Sequence, residues 1–415
     1  MLLQCGLLGK KLGHSYSPYI HKMLGDYEYR LYERNEHEIE DLLKSTFWTG
    51  LNVTMPYKKT VIPFLTSVSG NVKKTCSVNT IIRKANGELF GDNTDVYGFL
   101  ELIRRSNISV EHKKTLVLGS GGASAAVFAA LEELGAEPIV ISRSGENNYY
   151  NIDRHSDAKI IVNTTPLGMY PATGDSPLDL RRFPECSGVI DIIYNPCRTA
   201  LLLQAEKLGI PYENGMYMLA AQAKRSSELF TGCNIPDTET DRIFQNLYSS
   251  MQNIVLVGMP GSGKSTVAMK IGVITGRPVL DSDIEVKRRT GKSPSQIILD
   301  QGEQAFRDIE CDILSDFGKR SGTVISTGGG SVLREENYAS LHQNGIIVWI
   351  RRDISSLPCE DRPLSKKRSL NAMYMEREPY YRQFSDIIVD IDADESISAD
   401  MILSAILQQN VEVKK

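Results

Sequence analysis

Short apolar runs rich in Val and Ile alternate with longer amphipathic stretches between residues 115 and 215. Runs of this kind are typical of strands buried in a parallel sheet. They lie at residues 115–118, 138–142, 159–163 and 188–193. The small and apolar stretch 123–134 follows the first run and predicts a helix. The alternation predicts an α/β unit with a parallel sheet.

The same alternation returns after residue 250. Ile243, Leu247 and Met251 share one face of a predicted helix over 238–251, which ends directly before the apolar run 253–257. Further runs follow at 323–326 and 346–350, with helical patterns between them, and predict a second α/β unit. The first hundred residues mix strand-like runs with helical ones, such as 38–43 and 97–104.

The length and composition of the chain indicate how many domains it contains and in which cellular compartment we expect it. The 415 residues exceed one ordinary core, because domains average ~150 residues, so we expect two or three domains. The net charge of −4 gives no electrostatic reason to expect nucleic acid or a membrane surface as a partner. The seven cysteines contain no C-x-x-C pair, and we expect neither a disulfide framework nor a zinc site. Without a signal peptide or a membrane-spanning run, we expect a cytoplasmic protein.

The segment GMPGSGKST at residues 258–266 is the most specific motif in the chain. It stands between an apolar run and a helical pattern, which is the order of a P-loop nucleoside triphosphate site. Loop amides converge on the phosphates, the lysine adds positive charge, and the next hydroxyl is placed to bind Mg²⁺. The alternative is a glycine-rich turn without function. The predicted ATP-binding residues are Gly261, Ser262, Gly263, Lys264, Ser265 and Thr266.

Two carboxylates, Asp281 and Asp283, follow in LDSDIE at the end of a strand-like run, where alternation would keep both on one side. One can hold Mg²⁺ through water, and the other can accept the proton of an attacking hydroxyl. The motifs GEQAFRDIE, GGG, DRPL and REPYY come next.

In this order the motifs resemble the shikimate kinases over residues 253–405. The resemblance implies that Arg307 and Arg377 bind the substrate carboxylate, with the amides of Gly329 and Gly330 close to the substrate. It also implies that Asp283 binds the reacting hydroxyl, that Asp281 acts near Mg²⁺ with Ser265, and that Arg362 on the lid stabilises the transferred phosphoryl group. Taken singly, each arginine could instead be a surface cation. The lid stretch 353–361 is short for the family.

A second nucleotide loop, GSGGAS at residues 119–124, lies between the apolar run 115–118 and the predicted helix 123–134. Such a loop seats a pyrophosphate at the N-terminus of the helix. The residues predicted to do so are Gly119, Ser120, Gly121, Gly122 and Ala123. Ser124 stands at the third glycine position of G-x-G-x-x-G, so the match is imperfect.

The end of the next strand selects the cofactor. Ser142, Arg143 and Ser144 offer a 2′-phosphate one cation and two hydroxyls, and no acidic residue is present to bond a free 2′-hydroxyl. NADP(H) is therefore favoured over NAD(H), with a solvated surface Arg143 as the alternative. Only residues 145–158 separate the second strand from the third, which predicts a trimmed nucleotide domain.

Four motifs in the first hundred residues, GHSYSPYIH, GLNVTMPYKK, SVNT and GDNTDVYG, supply hydroxyls, amides, Lys58 and Asp95. A lysine and an aspartate are the minimum acid–base pair for reducing a ketone, because the ammonium can protonate the alkoxide while the carboxylate holds the ammonium. The same two residues could form an ordinary ion pair, and from two residues alone that alternative is favoured.

With GSGGAS, SRS, NTTPLGM, DIIYNP and GMYMLAAQA, these motifs resemble the shikimate dehydrogenases across residues 1–250. The resemblance implies reversible reduction of 3-dehydroshikimate to shikimate, with Lys58 and Asp95 as the catalytic pair. It also implies a substrate pocket and two further NADP contacts, Thr165 and Gly215. The implied substrate-binding residues are Ser15, Ser17, Thr54, Lys58, Asn79, Asp95, Tyr194 and Gln222.

Together the motifs predict a bifunctional enzyme that uses NADP(H), ATP and Mg²⁺. Residues 1–250 form the dehydrogenase region, with a substrate domain at 1–105 and 216–250 and a Rossmann-like domain at 106–215. Residues 251–415 form a P-loop kinase domain. Quinate oxidation, NAD use and a regulatory protein that senses the same ligands are the alternatives, and the sequence also allows a homodimer.

Overall fold

The computed structural model describes residues 3–13, 15–357, 370–391 and 395–412. The chain divides into two compact units. The first contains residues 1–169, 175–194 and 201–248, and the second contains residues 170–174, 195–200 and 249–415. Among the described residues, no helix combines the length and the apolar character needed to cross a lipid bilayer.

The first unit begins with a six-stranded mixed sheet in the order β2-β1-β3-β5-β6-β4. Its strands are β1 (Gln4–Gly9), β2 (Glu28–Glu33), β3 (Gly50–Val53), β4 (Ser67–Val68), β5 (Thr80–Arg83) and β6 (Leu89–Asp92). Strand β1 is parallel to β2 and β3, whereas β5 is antiparallel to β3 and β6. The helices are α1 (Ser17–Leu24), α2 (Ile39–Lys44), α3 (Gly70–Thr75) and α4 (Thr94–Arg105), so both helices expected in this region are confirmed.

A five-stranded parallel sheet follows in the same unit, in the order β11-β10-β9-β7-β8. Its strands are β7 (Lys114–Leu118), β8 (Glu137–Ile141), β9 (Ile160–Asn163), β10 (Gly188–Asp191) and β11 (Tyr212–Asn214), and the first four confirm the predicted runs. The helices are α5 (Gly122–Glu133), α6 (Ala200–Lys207), α7 (Met216–Thr231) and α8 (Asp237–Met251). Between β8 and β9 there is only a 3₁₀ turn, Ile152–His155, which confirms that this segment is trimmed.

The second unit is built on five parallel strands in the order β13-β14-β12-β15-β16. They are β12 (Asn253–Val257), β13 (Val279–Asp281), β14 (Val324–Ser326), β15 (Gly345–Arg351) and β16 (Ile387–Asp390). The helices are α9 (Lys264–Thr275), α10 (Ser282–Thr290), α11 (Pro294–Gln301), α12 (Glu303–Gly318), α13 (Glu335–His342), α14 (Leu370–Phe384) and α15 (Glu395–Glu412). The three predicted strands are confirmed.

The chain passes from the first unit to the second within helix α8, after residue 248. The last turn of this helix is held by the second unit. Arg277 donates through Nη1 to the carbonyl of Gln252 at 2.5 Å and through Nη2 to that of Ser249, and the Gly322 amide donates to the Met251 carbonyl at 2.8 Å. Carbonyls that a helix end leaves unpaired are thereby satisfied.

Candidate active sites

Lys58 and Asp95 meet in the first unit. Lys58 lies in the turn region after β3, and Asp95 lies in the first turn of α4, where its amide donates to the Asn93 side chain at 3.1 Å. Lys58 Nζ is 2.5 Å from Asp95 Oδ2, and the two side chains are 17% and 11% exposed. Because the two side chains are mostly buried, the attraction between their charges is strong, and their exposed part can still contact a ligand.

Asn79 fixes the second oxygen of Asp95. Its Nδ2 donates to Asp95 Oδ1 at 2.9 Å, while its Oδ1 accepts from the amide of Thr94 at 2.7 Å. The structure therefore brings three sequence-predicted residues, Lys58, Asn79 and Asp95, into one hydrogen-bonded cluster.

The other candidate substrate residues lie around this cluster. The Ser15–Ser17 turn and Thr54 follow the neighbouring parallel strands β1 and β3, whose carboxyl ends share one edge of the sheet. Tyr194 reaches the serine turn through an edge-to-face contact with Tyr16, with ring centroids 5.9 Å apart. On α7, Gln222 Oε1 lies 3.5 Å from the Thr94 hydroxyl.

The glycine loop precedes α5, and no side chain caps that helix at Gly121. The backbone amides of its first turn are thus available to an anion. Ser124 is buried, and its hydroxyl donates to the carbonyl of Gly119 at 2.7 Å, which braces the loop at the position where a third glycine would stand. A Cβ placed on Gly122 would lie 3.6 Å from Lys58 Cδ, so the loop and the Lys58 cluster are adjacent.

Arg143 follows β8 and is exposed, as is Ser144, while Ser142 is half-buried. Among the described residues, no carboxylate forms an ion pair with Arg143. A cation without a counter-ion suits a 2′-phosphate. Thr165 and Gly215 lie after β9 and β11, at the same edge of the sheet as the glycine loop.

The P-loop connects β12 to α9. Gly261 and Gly263 have φ values of 86° and 89°, a region that glycine adopts without strain. Lys264 is buried, and its Nζ donates to the carbonyls of Gly258 and Met259 at 2.9 and 3.0 Å, so its ammonium lies inside the loop. A buried ammonium within a glycine-rich loop fits a triphosphate, because it adds positive charge beside the phosphates.

Ser265 and Asp281 bring two side-chain oxygen atoms together beside the P-loop. The Ser265 hydroxyl donates to Asp281 Oδ2 at 2.7 Å, which suits Mg²⁺. Within the described ranges, no group of three His, Cys, Asp or Glu side chains forms a metal site. Magnesium at nucleotide sites takes one or two protein oxygens and completes its shell with phosphates and water.

The expectation that strand alternation places Asp281 and Asp283 on one side is wrong. Strand β13 ends at Asp281, which caps α10 by accepting from the amides of Asp283 and Ile284 at 3.0 and 3.2 Å. Asp283 is already helical. Aspartate is a preferred N-cap residue, so a helix begins directly after Asp281 and the strand alternation does not continue to Asp283.

Arg307 and Glu310 form a buried ion pair on α12. Arg307 Nη1 is 2.6 Å from Glu310 Oε2, and Nη2 is 3.0 Å from Glu303 Oε1. Burial raises the pKa of the fully buried Glu310, while Arg307 opposes that shift. Glu310 Oε1 and Arg307 Nε have no hydrogen-bond partner among the described residues.

The triple glycine packs directly on these groups. A Cβ on Gly330 would lie 2.0 Å from Arg307 Nη2, and one on Gly328 would lie 2.1 Å from Glu310 Oε1. The Gly329 carbonyl accepts from Arg377 Nη1 at 3.0 Å and from the Tyr381 hydroxyl. Arg307, Arg377 and the three glycines therefore meet at one place. Arg362 lies outside the described residues, as do residues 358–361 of the lid stretch.

Sequence reasoning missed three side chains of these clusters: Ser226, Glu310 and Tyr381. Glu310 stands one helical turn after Arg307, and Ser226 stands one turn after Gln222. Helical spacing from an assigned residue was the available signal.

Fold and sites define a nucleotide-dependent enzyme with two centres, one of the dinucleotide oxidoreductase type and one of the P-loop phosphotransferase type. The family model "Shikimate dehydrogenase substrate binding domain" matches residues 7–81, and the model "Shikimate kinase" matches residues 260–409. The shikimate dehydrogenase (NADP(+)) of Clostridium perfringens strain 13 is 33% identical over 58% of this chain and 97% of its own length. The chain belongs to the shikimate dehydrogenase family.

Two solved structures extend the match. The chorismate mutase/shikimate 5-dehydrogenase fusion protein of Clostridium acetobutylicum has 34% identity and a TM-score of 0.57, covering 60% of this chain and 97% of that one. The shikimate 5-dehydrogenase of Thermus thermophilus in complex with NADP(H) and shikimate has 29% identity and a TM-score of 0.55, covering 59% of this chain and 99% of that one. The predicted fusion of a shikimate dehydrogenase with a shikimate kinase domain is confirmed, as is the fold class.

Proposed function

We propose that the first unit reversibly reduces 3-dehydroshikimate to shikimate with NADPH, and that the second phosphorylates the 3-hydroxyl of shikimate with Mg·ATP. The observation that carries the proposal is that each substrate cluster touches a nucleotide loop. Gly122 packs toward Lys58 in the first unit, and a Cβ on Gly329 would lie 2.6 Å from Pro260 of the P-loop in the second.

In the dehydrogenase, Lys58 holds the proton that passes to and from the substrate oxygen. Asp95 keeps the ammonium in place, and Asn79 keeps the carboxylate in place. NADPH supplies the hydride when it is bound. Ser15, Ser17, Thr54, Tyr194 and Gln222 are proposed to bind the hydroxyls and carboxylate of the ring.

The cofactor contacts stay a proposal at residue level. We assign the pyrophosphate to the loop Gly119, Ser120, Gly121, Gly122 and Ala123, and the 2′-phosphate to Ser142, Arg143 and Ser144. Thr165 and Gly215 complete the assignment. Two features support it: the first turn of α5 has no side-chain cap, and the Arg143 guanidinium has no carboxylate partner within the described part of the chain.

In the kinase, Arg307 and Arg377 are proposed to bind the substrate carboxylate, beside Gly329 and Gly330. Asp283 is proposed to orient the 3-hydroxyl and accept its proton. Lys264 and Arg362, with Gly261, Ser262, Gly263 and Thr266, are assigned to ATP. Mg²⁺, held by Ser265 and Asp281, neutralises phosphate charge when it is bound.

We also propose domain boundaries after residues 105, 215 and 250. A cytoplasmic location and a homodimer are part of the same proposal. The division of the chain after residue 248 supports the last of these boundaries.

Purified protein tests both reactions. Shikimate with NADP⁺ is expected to give NADPH, and shikimate with Mg·ATP is expected to give ADP. If quinate replaced shikimate as the better substrate of the first reaction, the substrate assignment would fail. If neither product formed, both proposed activities would be rejected, and a regulatory protein that senses the same ligands would be favoured.

Matched lysine variants separate the two sites. We expect Lys58→Ala to abolish shikimate oxidation and leave ADP formation within about twofold, and Lys264→Ala to do the reverse. Lys59→Ala and Lys270→Ala, which change exposed neighbours, serve as controls. Loss of both activities in either folded single variant would contradict two independent sites.

A further inference from the structure

Ser226 on α7 is fully buried, and its hydroxyl lies at the centre of four polar contacts. Its Oγ is 2.9 Å from Asn52 Nδ2, 2.8 Å from Thr80 Oγ1 and 3.0 Å from Thr94 Oγ1. It is also 3.0 Å from the carbonyl of Gln222, one turn earlier on the same helix. One hydroxyl therefore joins α7 to β3, β5 and α4.

The protons of this cluster can be assigned. The carbonyl of Gln222 can only accept, so Ser226 gives its single proton to it, as buried helical serines commonly do. Ser226 must then accept from its other neighbours. The amide of Asn52 can only donate, and one threonine hydroxyl donates as well.

A backbone carbonyl sets the direction of the Asn52 amide. The Asn79 carbonyl can only accept, and it lies 3.3 Å from Asn52 Nδ2, so Nδ2 is the atom that also faces Ser226. The Oδ1 atom then accepts from the Tyr29 hydroxyl at 2.8 Å.

The cluster leads to the catalytic carboxylate through Asn79. The hydroxyls of Thr80 and Thr94 lie 3.0 and 3.1 Å from Asn79 Oδ1. Because Ser226 accepts from one threonine, the other hydroxyl is left to donate to Asn79 Oδ1. That bond acts together with the Thr94 amide, which donates to the same oxygen at 2.7 Å, to turn Nδ2 of Asn79 toward Asp95 Oδ1 at 2.9 Å.

We propose that Ser226 is a positioning residue of the dehydrogenase, which orients the Asn79 amide and through it the Asp95 carboxylate beside Lys58. It is fully buried and acts only through Thr80, Thr94 and Asn79. The inference rests on the proposed dehydrogenase function.

The first test is Ser226→Ala in the full chain. Loss of one buried hydrogen bond in a network is expected to lower kcat for shikimate oxidation roughly fivefold. The KM for shikimate and the Kd for NADP⁺ are expected to stay within about twofold of the wild type, because the residues proposed to contact shikimate and NADP⁺ are unchanged.

Ser227→Ala is the matched control. Ser227 is the next residue of α7 and equally buried, but its hydroxyl accepts from Tyr27 at 2.9 Å instead of bonding Thr80 or Thr94. We expect its kcat to match the wild type. Equal losses of kcat in both variants would show that any cavity in α7 has this effect, and would overturn the inference.

A double-mutant cycle separates positioning from packing. If Ser226 acts through Asp95, Ser226→Ala should change the residual rate of Asp95→Asn by less than about twofold, since the carboxylate that it orients is gone. A full, additive loss in the Asp95→Asn background would overturn the inference.

Folding is followed in the same samples by circular dichroism and by the kinase activity. Should Ser226→Ala fail to fold, Ser226→Cys keeps the volume but bonds weakly, and a kcat equal to the wild type would reject the role. Wild-type protein without NADPH formation would instead reject the dehydrogenase proposal, so the two failures are distinguishable.

Discussion

At the scale of single residues, the exposed guanidinium of Arg143 is proposed to decide which dinucleotide the first unit prefers. Replacing it by aspartate removes a cation from the proposed 2′-phosphate site and adds a like charge. We expect Arg143→Asp to lower kcat/KM for NADP⁺ relative to NAD⁺ by at least about tenfold, the value of one charge-assisted bond. Arg154→Asp, at another exposed arginine, is the control. An unchanged ratio would remove Arg143 from the site.

His21 makes the first unit sensitive to acid. Burial lowers its pKa to about 3, against the opposing bond with Asn52, whereas the unfolded chain titrates near 6.5. Between these values the unfolded state binds a proton that the folded state does not, so this contribution to stability is present above pH 6.5 and lost as the pH falls.

The expected loss is about 2 kcal/mol of unfolding free energy between pH 6.5 and pH 5. Urea unfolding of His21→Gln should lack this part of the pH dependence, and His37→Gln, at an exposed position, should keep it. Parallel pH dependences in all three proteins would contradict the assignment to His21.

Contacts between residues were predictable from the sequence where ordered motifs indicate them. Lys58 and Asp95, 37 positions apart, meet at 2.5 Å as the ordered motifs indicate. Ser226 belongs to no motif and its partners come from three distant elements, so its helical spacing from Gln222 was the signal that pointed to it.

At the scale of elements, periodicity located the buried strands of both parallel sheets but failed at their ends. Asp281 and Asp283 were expected on one strand, yet a helix begins between them. A strand of three residues shows too few alternating positions to reveal where it ends and where the N-cap of the next helix stands. The trimmed connection between β8 and β9 was predictable, because chain length alone excludes a full helix, strand and helix there.

The last turn of α8 offers an element-level test. Arg277 bonds two of its carbonyls, so we expect Arg277→Ala to cost the second unit about 2 kcal/mol of unfolding free energy. Arg288→Ala, which breaks only an exposed ion pair with Glu285, should cost less than about 1 kcal/mol. Urea unfolding, followed by the loss of kinase activity, measures both free energies. If the two variants lost equal amounts, the Arg277 bonds to the carbonyls of Ser249 and Gln252 would stabilise the unit no more than an exposed ion pair.

At the scale of the whole molecule, the product of one proposed reaction is the substrate of the other. Diffusion over protein dimensions is much faster than typical turnover of about 10 per second, so we expect no kinetic advantage from the fusion alone. An equimolar mixture of Lys58→Ala and Lys264→Ala proteins should convert 3-dehydroshikimate to shikimate 3-phosphate within about twofold of the wild-type steady-state rate, at equal concentrations of active sites. A much slower mixture would indicate direct transfer.

The close packing around Gly328, Gly329 and Gly330 has a consequence for selection. In each of the three positions an added Cβ would fall within 2.6 Å of a neighbouring atom: the Glu310 carboxylate, Pro260 or the Arg307 guanidinium. Almost any amino-acid exchange there would disturb the pocket. An inhibitor that rests on this tripeptide would leave the organism few viable resistance mutations in that stretch.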